Sequence, residues 1–162
     1  MDYSIRNAEI ADMPRIEEIY AGARIFMAEH GNPHQWGTKN PPTDRLMQDI
    51  AERRLYVITE KEAIHGVFYL YIGEDPTYQV IYDGSWRSDE IYGTIHRIAG
   101  DGSGGILKTA VEFSEKQISY LRIDTHEDNA VMQSAVQKLG FHRCGIINVD
   151  DGTPRIAYDR FQ

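Results

Sequence analysis

The chain has 162 residues, 41% of them hydrophobic and 26% charged, with a formal charge of −8. That length suits one domain spanning residues 1–162, large enough to bury a sizeable core. The acidic balance, with no basic tract, points away from nucleic-acid binding, which needs clustered Lys and Arg. No apolar run approaches the roughly 20 residues that cross a bilayer, so no membrane partner is expected. The start "MDYSIRNAEIADM" lacks a signal-peptide core. A single cysteine, Cys144, cannot form an internal disulfide and fits a reducing compartment. The expected location is the cytoplasm.

"YSIRNA" is the first expected strand. Asp12 is placed to cap a helix that tolerates Pro14 in its first turn and carries Ile16, Ile19, Tyr20, Ala23 and Met27 at helical spacing. "HGNPHQWGTKNPP" breaks it, and Thr43 is placed to cap a second helix reaching about Arg53. "LYVIT" and "AIHGVFYLYI" form a hairpin. The segment after it holds Pro, Gly and several large aromatics, and "IYGTIHRIA" is the next strand. A helix burying Ile106, Leu107, Ala110, Val111 and Ser114 should follow, then the strand "SYLRIDT". The last helix places Met132, Ala135, Val136 and Leu139 on one face, and Gly140 ends it. "FHRCGIINV" and "RIAYDRF" close the chain as a hairpin. The order β-α-α-β-β-β-α-β-α-β-β is a mixed α/β (α+β) layer around one sheet. The helix joining two strands across the glycine-rich stretch makes that pair parallel, with a right-handed crossover.

That stretch, "AGDGSGGILKT", admits several readings. Gly100, Gly102 and Gly105 have the spacing of a dinucleotide loop, and Asp124 lies 19 residues beyond Gly105, where a ribose-binding acid belongs. The helix-helix-hairpin before it is not the βαβ context such a loop needs. A P-loop requires glycine immediately before Lys108, and Leu107 stands there. A plain turn would not need four glycines. A strand, a glycine turn and a helix N-terminus together aim backbone N–H groups at one point suited to an anion.

On "SIRNAEIADMPRIEEIY", "IHRIA", the glycine loop, "RIDTHEDNAVMQSAVQKLGF" and "CGIINVDDGTPRIAYDRF", the chain resembles the GNAT N-acetyltransferase superfamily, in particular its small bacterial members. The most specific element is Asn129 followed eleven and twelve residues later by Gly140 and Phe141. The resemblance implies a mostly antiparallel sheet with one parallel strand pair and helices on both faces. It implies acetyl-CoA as co-substrate, and an acceptor that is a primary amine of a small molecule or peptide. The backbone at Ile98, Ala99 and Gly100 would hold the pantetheine arm or polarise the thioester carbonyl. Ser103, Gly104, Gly105, Ile106, Leu107 and Lys108 would supply amides to the pyrophosphate, and Asn129 would contact the cofactor arm. Aligned on Gly105, the family's Arg/Gln-x-x-Gly-x-Gly/Ala pattern reads Gly102, Gly105 and Leu107. Val136 stands where many members carry a tyrosine acid. Similar proteins are often homodimers.

An ammonium ion cannot attack a thioester, so a base must take its proton. Glu90 and His96, before and on the fourth strand, are the candidates, with His126 behind them. Trp36, Tyr82 and Trp86 lie where the superfamily forms its acceptor pocket, together with Tyr78. His30 and His34 have no acidic or thiolate partner nearby, so no metal site is expected. Cys144 reads as buried filler. The alternative function is a non-catalytic acyl-CoA-binding or regulatory module.

Overall fold

The computed structural model describes residues 2–162. Along the chain lie β1 (Ser4–Asn7), α1 (Met13–Glu29), α2 (Thr43–Ala51), β2 (Leu55–Glu60), β3 (Ala63–Ile72), β4 (Gly93–Gly100), α3 (Ile106–Glu115), β5 (Tyr120–Thr125), α4 (Ala130–Lys138), β6 (His142–Asn148) and β7 (Pro154–Phe161). This is the element order read from the sequence. The seven strands form one sheet in the order β1-β2-β3-β4-β5-β7-β6. Every neighbouring pair is antiparallel except β4 and β5, which α3 joins as a crossover.

Adjacent residues of the central strands face opposite ways and feed different cores. Val57 and Val67 pack with Ile16, Ile19, Tyr20 and Leu46 of α1 and α2. Their neighbours Ile58 and Phe68 pack with Ala110, Val111 and Val136 of α3 and α4. Helices therefore cover both faces. A third cluster, built on Tyr78, Tyr92, Tyr120, Ile147 and Ala157, lies under the irregular segment between β3 and β4. That segment reaches the edge strand β6, where Tyr82 and Ile146 exchange two backbone hydrogen bonds. A Cβ on Gly84 would lie 1.9 Å from the Cys144 carbonyl oxygen, so only glycine permits this approach.

Three local expectations need correction. Asp12 does not cap α1: its backbone is helical (φ −80°, ψ −12°), and a capping side chain needs an extended one. Its carboxylate instead accepts the Glu9 N–H at 2.8 Å and Arg6 at 2.7 and 3.0 Å, closing a 3₁₀ turn ahead of the helix. Thr43 is the first residue of α2 rather than its cap, and Pro42 takes the cap position. On α4 only Val136 is buried among the four expected core positions. Met132 and Leu139 are partly buried against the same core, and Met132 and Ala135 also line a groove.

The site depends on how β4 leaves the sheet. β4 and β5 pair only at Gly93–Leu121 and Thr94–Arg122, and then part. On its other side β4 carries a bulge: Arg97 and Ile98 together oppose the single residue Phe68 of β3. Arg97 takes a left-handed φ of 51° there. Such a bulge bends a strand and increases its twist, here on the strand that diverges from β5.

Candidate active site

Where the two strands diverge, a groove of about 600 Å³ runs between α1 on one face and the starts of α3 and α4 on the other. Ile98, Ala99, Gly100, Ser103, Ile106, Leu107 and Asn129 line it. Seven of the ten residues that resemblance assigns to the cofactor thus share one wall system. Gly104, Gly105 and Lys108 stand outside it. Gly105 begins α3 with φ 82° and no side chain caps the helix, so the first-turn amides have no side-chain acceptor. A Cβ on Gly102 or Gly104 would meet nothing within 4 Å, so the loop presents bare backbone.

Two loop amides are already engaged, and the first, Asp101 N–H, donates to the His65 carbonyl at 3.0 Å. Asp101 Oδ1 accepts the Ser103 N–H at 3.0 Å, while Oδ2 takes Arg15 at 2.9 Å and His65 at 2.8 Å. Burial works against the Asp101 anion, but the bonds from Ser103 and His65 outweigh it and hold the carboxyl below its ordinary range. Leu107 is half-buried, packing on the α3 side of the core while its outer surface joins the groove wall. Asn129 caps α4, its Oδ1 accepting the Met132 N–H at 3.0 Å, and its Nδ2 donates to Gln35 Oε1 at 3.0 Å.

A polar cluster fills the gap between the strands. Two residues past the last β4–β5 pair, His96 and Asp124 face each other, with Nδ1 3.6 Å from Asp124 Oδ2. Nε2 lies 2.7 Å from Asp75 Oδ2. Tyr78 donates to Asp124 Oδ2 at 2.6 Å, and the rings of Tyr69 and Tyr78 each sit 5.7 Å from the imidazole. Burial pushes the Asp75 carboxyl up, but the bond and charge of His96, with two bonds from Thr77, bring it down to about 2. Asp75 is therefore an acceptor at neutral pH, which places the neutral imidazole proton on Nε2 and the lone pair on Nδ1. At 3.6 Å, Nδ1 is too far from Asp124 for a hydrogen bond. Burial, reinforced by the adjoining Asp124, drives the Tyr78 hydroxyl well above its ordinary range.

The other expected site residues lie apart. Glu90 is exposed and precedes β4, at the end where β4 and β5 are still paired, and its carboxylate accepts the Ser88 hydroxyl at 3.1 Å. The structure does not join it to His96. His126 accepts the Asp128 N–H in the turn after β5. Trp36 packs edge-on against Tyr20 at 5.5 Å, beside the α1 core. Tyr82 lies on β6 and donates to Asn148 at 3.0 Å. Trp86 belongs to the third cluster, donating to the Tyr78 carbonyl at 2.9 Å with Arg122 over its ring. The three expected acceptor-pocket residues therefore occupy three separate environments. Val136 points into the core, and Cys144 is buried with its thiol pushed up to about 12, chiefly by burial and then by Asp159. Asp75 and Asp124 were not singled out as catalytic partners. No spacing rule joins a loop aspartate to a histidine 21 residues later; the hint lay in Asp124 closing the strand after the glycine loop.

No family model and no curated protein matches the sequence. Solved structures do. A GNAT-family acetyltransferase from Streptococcus agalactiae is 28% identical, with a TM-score of 0.89 over 99% of this chain and 95% of that one. One from Listeria monocytogenes is 18% identical, with a TM-score of 0.71 over 99% and 95%. A candidate acetyltransferase from Salmonella typhimurium, solved with its cofactor acetyl-CoA, is 17% identical, with a TM-score of 0.60 over 98% and 93%. The mixed sheet with its single, diverging parallel pair is the fold these proteins share. The chain has the fold of the GNAT acetyltransferases and is similar in sequence to one of them over nearly its whole length.

Proposed function

We propose that residues 1–162 work as a single acetyl-CoA-dependent N-acetyltransferase domain, acting on a primary amine of a small molecule or peptide. The observation that carries this reading is the diverging β4–β5 pair, with a backbone-rich groove on one side of the gap and a histidine with a free nitrogen inside it. The residues present suit acetyl-CoA. The uncapped start of α3 and the open backbone at Gly102 and Gly104 offer amide donors to a pyrophosphate, and Ile98 to Gly100 offer strand edge to an extended arm. Bound there, acetyl-CoA would supply an acyl group activated as a thioester.

The chain's own residues would do the rest. Asp75 and Asp124 attract a cationic amine, in keeping with the net charge of −8. His96 Nδ1 takes the ammonium proton, directly or through one water, while Asp75 holds Nε2–H and keeps the ring oriented. The backbone of Ile98 to Gly100, on the groove wall, would supply N–H donors to the developing oxyanion. Glu90 has no part in this relay. The experiment is calorimetry with acetyl-CoA followed by thiol release over a panel of primary amines. Binding and turnover are expected, with turnover lost in His96→Gln. No acetyl-CoA binding at millimolar ligand sinks the reading.

A second reading, a non-catalytic acyl-CoA-binding module, is favoured by Val136. That side chain is buried and brings no hydroxyl to protonate a departing thiolate. Binding without turnover for every amine would select it.

A further inference from the structure

The groove contains a polar side chain with one atom left bare. Asn32, in the loop after α1, is 2% exposed and lines the groove, and its Oδ1 has no hydrogen-bond partner. The direction of this amide is set by a chain of bonds that begins at a backbone group. The Met132 N–H can only donate, so the Asn129 atom 3.0 Å from it is the carbonyl Oδ1. Asn129 Nδ2 is then a donor, and it meets Gln35 Oε1 at 3.0 Å. The same oxygen accepts Asn32 Nδ2 at 2.9 Å. Turning Asn32 over would set its oxygen against the Gln35 oxygen, which is fixed as an acceptor by Asn129 and has no proton to give, so the network excludes the flip. Gln35 does not line the groove, whereas Asn32 does. The nitrogen of Asn32 is thus turned away to Gln35, and a fixed, buried acceptor is left over.

Buried amide oxygens are rarely left unpaired, because they give up their water without compensation. The other two bare side-chain oxygens among the described residues are hydroxyls of Thr94 and Thr125 on strands, and neither residue lines the groove. We infer that Asn32 is a ligand-binding residue whose Oδ1 accepts a hydrogen bond from an N–H group of the molecule in the groove. This deepens the proposed function and rests on it for the two N–H sources it names. One is an amide of the cofactor's pantetheine arm, and the other is the amino group of the acceptor. Both present the same donor. The Gln35–Asn129 bond makes the loop after α1 and the start of α4 close on that donor together.

The test compares wild type with Asn32→Ala and Asn32→Asp, which keeps an oxygen at the groove. Pantetheine, acetyl-CoA and a panel of primary amines are titrated separately by calorimetry and by side-chain amide NMR. If the arm is the source, Asn32→Ala weakens pantetheine and acetyl-CoA by about tenfold, the loss of one hydrogen bond, and leaves amines unchanged. If the amine is the source, the weakening is confined to the amines. In either case Asn32→Asp recovers most of the affinity. Unchanged affinities in Asn32→Ala overturn the inference, as do equal losses in both variants, which would report only the lost bond to Gln35. Acetyl-CoA and amine binding that both ignore Asn32 remove this inference alone. Asn32-dependent binding of pantetheine or amine without acetyl-CoA binding removes the proposed function alone. Wild type that binds none of the three removes both.

Discussion

The irregular segment between β3 and β4 ties down two buried charge clusters, one at each end, and they are finished differently. At the far end Asp159 of β7 is fully buried and accepts Arg87 Nε at 2.5 Å, the Arg87 N–H at 3.1 Å and the Tyr120 hydroxyl at 2.8 Å. Beside it Arg122 lies 4.1 and 3.9 Å from the ring centroids of Trp86 and Tyr92 and donates to the Ser88 carbonyl at 2.8 Å. No buried side-chain polar atom in that cluster lacks a partner. At the near end the His96 cluster is closed on its Asp75 side and open between Nδ1 and Asp124. A charge with every bond made holds a segment in place. An imidazole with one nitrogen outside any hydrogen bond can take up a proton.

The largest expected effect strikes the open cluster. His96→Gln should lower turnover by about a hundredfold or more, the usual weight of a general base, while circular dichroism stays that of wild type. Turnover within threefold of wild type would move the base elsewhere. In the closed cluster the loss should appear as stability. Asp159→Asn leaves Arg87 and Tyr120 imperfectly matched in a dry site and should cost about 3 kcal/mol in urea unfolding. A loss of turnover without that destabilisation would erase the distinction between the two clusters.

Acid gives a smaller effect, read on Asp75. Its folded carboxyl titrates at about 2, below the roughly 3.9 of an unfolded aspartate. The stabilisation is therefore complete above about pH 4 and disappears as the pH falls through 2, an effect of about 2 kcal/mol. Urea midpoints at pH 5 and about pH 2 should differ less in His96→Gln than in wild type, because the imidazolium charge is gone. Identical differences would mean that His96 does not hold Asp75 down. The smallest effect is expected at Trp86, between the clusters. Trp86→Phe loses the bond to the Tyr78 carbonyl and should cost about 1 kcal/mol with an unchanged amine KM. A raised KM would return Trp86 to the acceptor pocket.

The same contrast separates what was legible in the sequence from what was not. Helices and strands answer to periodicity within a dozen residues, so the element order and the parallel crossover were readable. So was the glycine loop, because an open backbone ahead of a helix is a local property. Asn129 was named by resemblance, in a motif that ends at Gly140 and Phe141, and it lines the groove. The acceptor-side aromatics were not separable: Trp36, Tyr82 and Trp86 look alike in sequence, yet one packs on α1, one crosses to β6 and one lies under Arg122.

By itself the sequence determined the order of elements, the single parallel connection and the backbone-only character of the loop, because each depends on neighbours along the chain. The tertiary structure alone decided that Asp75 and Asp124 meet His96, that Glu90 stands away, and that Asn32 keeps one acceptor bare. The first depends on two strands parting after Thr94, and the last on the bonds that run from Met132 through Asn129 and Gln35 to Asn32. Hydrogen bonds between residues tens of positions apart leave no period in a sequence.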